Sequence, residues 1–160
     1  EIAISSADEY VMVQSPYFVP TDGMEEALIN TALAGVDVRL MITGVPDKKI
    51  AWYAAFSYFE RLLRAGAHVY LYDAGFFHAK SITVDDECCA VGTMNLDVRS
   101  LELHKELMFW MYDAEIAKEN RAIFEADMKE CHEVTLGEFE KISFIHRFRN
   151  SAARLASKLL

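Results

Sequence analysis

The stretch "GFFHAKSITVDDECCAVGTMN", which runs from Gly75 to Asn95, places a histidine and a lysine two residues apart inside an apolar, strand-like run. In a strand, residues i and i+2 lie on the same face, so His78 and Lys80 are expected to project side by side. A titratable ring and a cation suit a buried strand less well than valines do. The stretch therefore predicts a β-hairpin that carries a functional pair on one face.

The hairpin follows from the acidic turn "DDE" at positions 85–87, which folds "CCAVG" back along "KSITV". With either tight register of this turn, Thr93 or Met94 lies opposite His78. The end of the returning arm then lies beside the imidazole and the ammonium. There the side chains of Thr93 and Asn95 add neutral hydrogen-bonding groups.

Asp85 and Gly92 complete a spaced pattern, H-x-K-x-x-x-x-D, then six residues, then G-T-x-N. Asp85 belongs to the candidate catalytic set, although its odd offset from His78 puts it on the opposite face or in the turn. That position favours a structural or indirect role. Gly92 is expected to let the backbone approach a ligand closely. A lone histidine in a strand is usually structural, but the whole pattern is far more restrictive and indicates a reactive site.

Hydrophobic periodicity predicts an α/β fold, with a mixed β-sheet flanked by helices on both faces. Strand–helix–strand–helix–strand order favours parallel strands joined by crossover helices, and the short acidic turn adds an antiparallel hairpin. A length of 160 residues fits one domain. Predicted strands are 10–15, 36–43, 68–72, the two hairpin arms and 105–113; predicted helices are 24–34, 48–64, 114–130 and roughly 136–160.

The composition places the chain among globular proteins, with 52% hydrophobic and 26% charged residues. No apolar run approaches the roughly 20 residues that a membrane span needs. The chain opens "EIAISSADEY", without an initiator methionine, and is expected to be a soluble piece of a longer protein.

Charge is distributed unevenly along the chain, whose net charge is −9. Residues 141–160 contain five Lys or Arg and no acid, whereas residues 1–140 contain 25 acidic side chains against 11 basic ones, a net −14. Such an acidic body is a poor match for nucleic acid, whose binding depends on neutralised phosphates. The basic segment 141–160 reads as an amphipathic helix that either lies on an anionic membrane surface or packs its apolar stripe on the domain.

The spaced pattern resembles the phospholipase D superfamily, whose HKD motif is followed by G-S/T-x-N. That superfamily also carries a glutamate in the next strand that hydrogen-bonds the histidine, and Glu106 has the matching offset. The flanks "SPYFVP" and "GVDVRLMITGVPD" look like the C-terminal half of bacterial cardiolipin synthases, although His104 stands where asparagine is more usual. The matching motif positions are His78, Lys80, Asp85, Gly92, Thr93 and Asn95.

The resemblance implies displacement at a phosphodiester. His78 would attack the phosphorus or protonate the leaving alkoxide, because a neutral imidazole is available near neutral pH. Lys80, Thr93 and Asn95 would bind the non-bridging oxygens. Glu106 would orient and electrostatically support the ring. No metal or other cofactor is implied, since lysine supplies the positive charge.

Members of this superfamily use two HKD motifs, and this chain has one. The resemblance therefore implies a phospholipase D-like α/β/α half, inactive or nearly so without a second half in the same chain or in a homodimer. The implied activity is a phosphatidyltransferase at the cytoplasmic side of the bacterial membrane. It would form cardiolipin from two phosphatidylglycerols through a phosphohistidine and release glycerol.

Three alternatives remain open: a phospholipase D-type phosphodiesterase, a single-HKD nuclease acting as a dimer, and a non-catalytic scaffold half. The acidic body and the synthase-like flanks argue against a nuclease. The complete set of site residues argues against a scaffold.

Overall fold

A computed structural model describes residues 1–141, 149–150 and 152–155. The helices are α1 (Ile2–Ser5), α2 (Asp22–Leu33), α3 (Lys49–Ala65), α4 (Ala114–Asp127) and α5 (Leu136–Glu140). The strands are β1 (Tyr10–Gln14), β2 (Phe18–Val19), β3 (Asp37–Thr43), β4 (His68–Tyr72), β5 (Ser81–Val84), β6 (Cys88–Gly92), β7 (Leu96–Asp97), β8 (Met108–Met111) and β9 (Cys131–Val134). A π-helical turn spans Arg99–Leu103, a 3₁₀ turn spans Met128–Glu130, and residues 149–150 and 152–155 are helical.

The main sheet that these residues form has seven strands in the order β8-β6-β5-β1-β3-β4-β9. Strands β1, β3 and β4 are parallel neighbours, and the other pairings are antiparallel. The parallel block comes from the crossover helices α2 and α3, and the antiparallel block begins with the β5–β6 hairpin. The predicted mixed sheet is confirmed.

Both faces of this sheet are covered by helices, because the central strands are apolar at successive positions. Val13 packs in one buried cluster with α2 and α3, whereas its neighbour Met12 packs in a second cluster with Phe124 of α4. Strand β1 is buried at all five positions, which matches a strand enclosed on both sides. The predicted α/β/α sandwich is confirmed.

The first helices begin and end at recognisable signals. Thr21 caps α2 by accepting a hydrogen bond from the Met24 amide at 3.3 Å, and Asp113 caps α4 through the amides of Glu115 and Ile116. Gly66 ends α3 in the left-handed conformation, with φ of 95°.

Four parts of the fold differ from the prediction. The strand expected at 105–113 is limited to Met108–Met111, and β9, which follows the 3₁₀ turn after α4, was not predicted. The short parallel pair β2–β7 was not predicted either. One helix was expected at about 136–160, but α5, which begins at Leu136, ends at Glu140.

The basic segment 141–160 is described only at 141, 149–150 and 152–155, so most of the predicted apolar stripe lies outside the described residues. Arg149 lies 3.7 Å from the Tyr53 ring centroid, and Arg154 lies 4.1 Å from that of Tyr58. Arg154 also lies 3.5 Å from the buried carboxylate of Glu25. These two arginines face α2 and α3, which favours packing on the domain over the membrane alternative. Within the described ranges, no helix has the length and hydropathy of a membrane span.

Candidate active site

The β5–β6 hairpin has one of the two predicted registers, with Val84 opposite Cys88. The ladder ends at a bond from the Gly92 amide to the Lys80 carbonyl at 3.2 Å. This register brings the end of the returning strand beside the segment that contains His78 and Lys80, as the sequence predicted.

His78 and Lys80 lie just before β5 and not inside it, so their predicted place in the strand was wrong. The pairing with β1 stops where Ser81 lies opposite Gln14, and these side chains share a buried hydrogen bond of 2.7 Å. The segment before Ser81 lacks that neighbour and turns toward solvent. Continuing the hairpin register puts Met94 opposite His78.

The His78 ring is exposed, and its centroid lies 5.5 Å from that of Phe76. Among the described residues, no side chain or backbone group hydrogen-bonds the ring. The neighbouring Phe77 is buried, and its amide donates to the Thr43 hydroxyl at 3.4 Å. The backbone beneath His78 is therefore anchored while the imidazole nitrogens remain accessible.

Lys80 is partly buried beside His78, and its Nζ donates to the His78 carbonyl at 2.9 Å. Burial lowers the pKa of Lys80, and the carboxylates of Glu106 and Asp97 oppose that shift. The ammonium thus lies in a poorly hydrated place where its attraction for an anion is stronger than in water.

Thr93 connects the end of β6 to the segment that enters β8. Its hydroxyl donates to Glu106 Oε2 at 2.5 Å and accepts from the Leu107 amide at 3.1 Å. Its own amide donates to the Leu107 carbonyl at 2.9 Å. The hydroxyl and the amide of Thr93 both already donate hydrogen bonds, so Thr93 holds Glu106 in place and has no hydrogen left for a phosphate oxygen.

Glu106 was expected to hydrogen-bond the histidine of the motif. In the described residues its partner is the Thr93 hydroxyl, and its second oxygen lies 3.8 Å from Nδ1 of His104. The other nitrogen of His104 lies 3.4 Å from the Arg99 guanidinium. Glu106 therefore adds negative charge next to Lys80 without contacting His78.

Gly92 is required by the close approach of a neighbouring strand, a reason that the sequence did not indicate. A Cβ at this position would lie 2.0 Å from the Leu107 carbonyl oxygen and 2.7 Å from the Met108 sulfur. Only glycine lets β8 approach β6 this closely.

Asn95 follows β6 and is fixed by the β2–β7 pair. Its Nδ2 donates to the Ser100 hydroxyl at 3.3 Å, and the next amide, that of Leu96, donates to the buried Ser15 hydroxyl at 3.0 Å. The Oδ1 atom of Asn95 is buried without a hydrogen-bond partner among the described residues. An unpaired buried acceptor of this kind is costly unless a donor from a ligand or water reaches it.

Asp85 lies apart from the other motif residues, so its place in the candidate catalytic set is corrected to a structural one. It is at the far end of β5, five residues and therefore roughly 16 Å of extended chain from Lys80. Its carboxylate accepts from the amides of Asp8, Glu9 and Tyr10 at 2.7, 2.9 and 2.7 Å. Asp85 thus ties the hairpin turn to the start of β1.

Asp97 is a site residue that the sequence reading missed. Its charge acts on Lys80, and its Oδ1 accepts from the Ser100 amide at 2.8 Å. The available signal was its offset of two from Asn95, which puts the two side chains on one face of an extended segment. No group of three or more potential metal-ligating side chains occurs in the part of the chain that the structure describes.

The geometry therefore brings together an accessible imidazole, a half-buried ammonium and an asparagine amide, with Glu106 and Asp97 near the ammonium. Such a set can bind an oxyanion and supply a nucleophile or a proton donor to it.

Comparison with known proteins points to one family. The family described as "Cardiolipin synthase, PLD-like domain" matches residues 2–128. Cardiolipin synthase from Clostridium perfringens strain 13 is 48% identical over 157 residues, and the major cardiolipin synthase ClsA of Bacillus subtilis strain 168 is 41% identical over the same length. Each match covers 98% of this chain and 33% of the relative, so the chain spans about a third of the length of these relatives.

Two solved structures share the fold. Nuc from Salmonella typhimurium, a phospholipase D family member, superposes with a TM-score of 0.75 at 17% identity, covering 84% of this chain and 87% of Nuc. The phosphatidylserine synthase of Haemophilus influenzae Rd KW20 has a TM-score of 0.75 at 15% identity, covering 99% of this chain and 43% of that protein. At these identities the likeness concerns the fold alone.

Proposed function

Because this chain belongs to the cardiolipin synthase family of phospholipase D-like domains, we propose that it is one catalytic half of a phosphatidyltransferase. The reaction forms cardiolipin from two phosphatidylglycerols and releases glycerol. The observation that carries this proposal is the pairing of the end of β6 with the His78–Lys80 segment, through the bond from the Gly92 amide to the Lys80 carbonyl at 3.2 Å, with Asn95 three residues after Gly92. Because the proposed substrate is a lipid, we expect the full-length protein to act at the cytoplasmic face of the bacterial membrane.

The reaction has two displacements at one phosphorus. In the first, a histidine nitrogen attacks, an N–P bond forms and the P–O bond to glycerol breaks, while a second histidine gives its proton to the leaving oxygen. In the second, a hydroxyl of another phosphatidylglycerol attacks, the N–P bond breaks and the hydroxyl proton passes to the second histidine. His78 fills one of these two roles.

Lys80 and Asn95 bind the non-bridging oxygens in this scheme. Charge accumulates on these oxygens in the transition state, and a half-buried ammonium stabilises that charge more than a hydrated one does. Glu106, held by Thr93, keeps a carboxylate near the site and supports the histidine that becomes positively charged. Asp85 has no contact with the reacting atoms and holds the hairpin in place.

A second half is required because the chain has one histidine of this kind. Two observations support it: the relatives are about three times as long, since the chain covers 33% of their length, and apolar side chains are exposed near the site. These side chains include Leu103 (72% exposed), Leu107 (57%) and Phe109 (63%). Contiguous exposed apolar patches mark interaction surfaces. The second half lies in the same chain or in a second copy.

The test uses the full-length protein that contains this chain, incorporated in phosphatidylglycerol vesicles. We expect cardiolipin and glycerol as products, a loss of roughly a thousandfold or more in His78→Ala, and wild-type turnover in the control Lys129→Ala. Turnover in His78→Ala within tenfold of wild type would contradict the proposal. Phosphatidic acid as the sole lipid product would assign a phosphodiesterase, and cleavage of plasmid DNA in EDTA without lipid turnover would assign a nuclease. Absence of all three activities would contradict the proposal and favour a non-catalytic scaffold.

A further inference from the structure

A cavity of about 570 Å³ opens beside the active site, between the loop after β1, the start of α3 and the π-helical turn. Its volume lies within the range of about 300–1,000 Å³ that is usual for ligand sites. Asn95 lines it, and so does Asp97, whose charge acts on Lys80. The cavity therefore shares one wall with the phosphate-binding set.

The cavity gathers positive charge on an acidic protein. Lys48, Lys49 and Arg99 line it, and Asp97 is the one carboxylate among its lining residues. Residues 1–140 as a whole carry a net charge of −14. The Lys48 ammonium lies 5.2 Å from the centroid of the Tyr17 ring, which also lines the cavity. This local reversal of charge favours an anionic ligand.

Backbone groups add to the attraction for an anion. Helix α3 begins at Lys49, and the preceding Lys48 makes no side-chain capping bond. The amides of the first helical turn have no partner within the helix, and the helix dipole is positive at this end. Lys49, Ile50 and Ala51 of that turn all line the cavity.

The remaining lining is partly polar and partly apolar. The carboxylate of Asp97 can accept hydrogen bonds from hydroxyl groups, and Asn95 adds a polar side chain to the same wall. Val19, Val98 and Ile50 form an apolar side, and Ile50 is 47% exposed. The chemistry fits a ligand with one negative charge, hydroxyl groups and a hydrocarbon portion.

We propose that this cavity binds the glycerol-phosphate headgroup of a second anionic lipid, the phosphatidylglycerol whose hydroxyl accepts the phosphatidyl group. Its phosphate lies near Lys48, Lys49 and the start of α3, and its glycerol hydroxyls reach toward Asn95 and Asp97. This inference rests on the proposed function, because it assigns the acceptor of that reaction.

The binding test uses the isolated chain and a soluble probe, glycerophosphoglycerol, in a calorimetric or NMR titration. We expect Lys48→Ala/Lys49→Ala to weaken binding by about tenfold. The matched control is Lys118→Ala/Lys129→Ala, which removes two exposed charges on and after α4, on the opposite face of the sheet, and should leave the affinity unchanged. Equal affinities of these two double variants would overturn the proposal.

Two further arms identify the source of the signal. Lys80→Ala removes the cation that binds the reacting phosphate, and it should leave binding of glycerophosphoglycerol unchanged. Loss of binding in this variant would show that the probe binds beside Lys80 and would overturn the assignment. Inorganic phosphate and glycerophosphocholine should bind more weakly than glycerophosphoglycerol. Equal or tighter binding of either would mean that the cavity does not recognise an anionic glycerol headgroup.

Kinetics of the full-length protein separate this inference from the proposed function. The first displacement releases one glycerol before the acceptor hydroxyl reacts, so the two steps are separated in a single turnover. We expect Lys48→Ala/Lys49→Ala to leave the initial burst of one glycerol per site unchanged and to slow the later formation of cardiolipin from the phosphohistidine. An equal slowing of the glycerol burst and of cardiolipin formation would overturn the acceptor assignment. If the wild-type protein forms no cardiolipin, the proposed function fails, and a headgroup site established by titration would still stand.

Discussion

At the scale of single residues, membership in a motif and contact with substrate are separate properties. His78 and Lys80 present reactive groups at the surface, whereas Asp85 holds backbone amides and Gly92 makes room for a neighbouring strand. Thr93 fixes the carboxylate of Glu106. A change at any of these positions is expected to reduce activity, but for different physical reasons that stability and binding measurements separate.

Asp85→Asn is expected to lower the free energy of unfolding by about 1–3 kcal/mol, because an amide cannot accept hydrogen bonds from three backbone amides with both of its polar atoms. Chemical denaturation measures the loss, and Glu87→Gln, a change at an exposed acid of the same turn, is the control. The NMR signals of the His78 ring should stay near their wild-type positions. Equal stability of the two variants would show that the Asp85 contacts contribute nothing.

Lys80 gives a pH dependence whose sign follows from burial. Its pKa is lowered from the ordinary value of about 10.4. At pH below the folded-state pKa the protein keeps a partly desolvated cation, which costs stability, and this cost disappears as pH rises from the folded-state pKa to about 10.4. Affinity for an anion is lost as the cation is neutralised, at a lower pH than for an exposed lysine.

We therefore expect the affinity of the chain for inorganic phosphate to fall as pH rises from neutral into the alkaline range. Lys80→Arg should remove this fall, because a guanidinium stays charged. Titration of the two proteins with phosphate at several pH values measures the difference. Parallel declines in both would show that another group is responsible.

At the scale of elements, the active site depends on how the strand ends are held. The β5–β6 hairpin, the β2–β7 pair and β8 meet where β1 and β3 end, so residues distant in sequence reach one surface. Strand β8 approaches β6 closely at Gly92, next to the Thr93–Glu106 hydrogen bond.

Gly92→Ala tests this approach. The added methyl group would lie 2.0 Å from the Leu107 carbonyl oxygen, so β8 must move away. We expect a destabilisation of about 1–3 kcal/mol, as for other overpacked sites, and a change in the amide signals of Thr93 and Leu107. Ala90→Gly, in the same strand, serves as a control for a change that adds no atom. Unchanged Thr93 and Leu107 signals in Gly92→Ala would mean that the strand spacing is adaptable.

The sequence predicted the elements that have a strong period or a strong turn. The apolar run of β1, the alternation in β3 and the acidic turn led to the correct sheet type, and one of the two hairpin registers that the turn allowed is the one observed. The four-residue strand β9 was not predicted, because His132 and Glu133 interrupt its apolar pattern. The hydrogen bond from Thr93 to Glu106 and the effect of Asp97 on the pKa of Lys80 depend on distances between side chains of separate segments. A local sequence pattern does not encode such distances.

At the scale of the whole molecule, the candidate site is open, with the His78 ring and apolar residues around the β8 edge exposed. The proposed reaction uses two such imidazoles, so we expect a second half to complete this surface. The basic side chains Arg149 and Arg154 are used within the domain, against Tyr53 and Tyr58. Lys48, Lys49 and Arg99, in contrast, line the cavity beside the candidate site.

The isolated chain is expected to form no cardiolipin, because it lacks the second histidine. Adding the separately expressed remainder of the full-length protein should restore turnover, and a remainder whose own histidine is replaced should fail to do so. Thin-layer separation of labelled lipids measures the product, and sedimentation reports the oligomeric state. Full turnover by a strictly monomeric chain would contradict the two-half account.

The central claim is that His78, Lys80 and Asn95 meet at one oxyanion, and an NMR titration with inorganic phosphate tests it most directly. Signals from the His78 ring and the Asn95 side-chain amide, followed together in the isolated chain, should shift with one common dissociation constant. That constant should rise about tenfold in Lys80→Ala. Shifts with different constants, or an affinity that Lys80→Ala leaves unchanged, would contradict the claim.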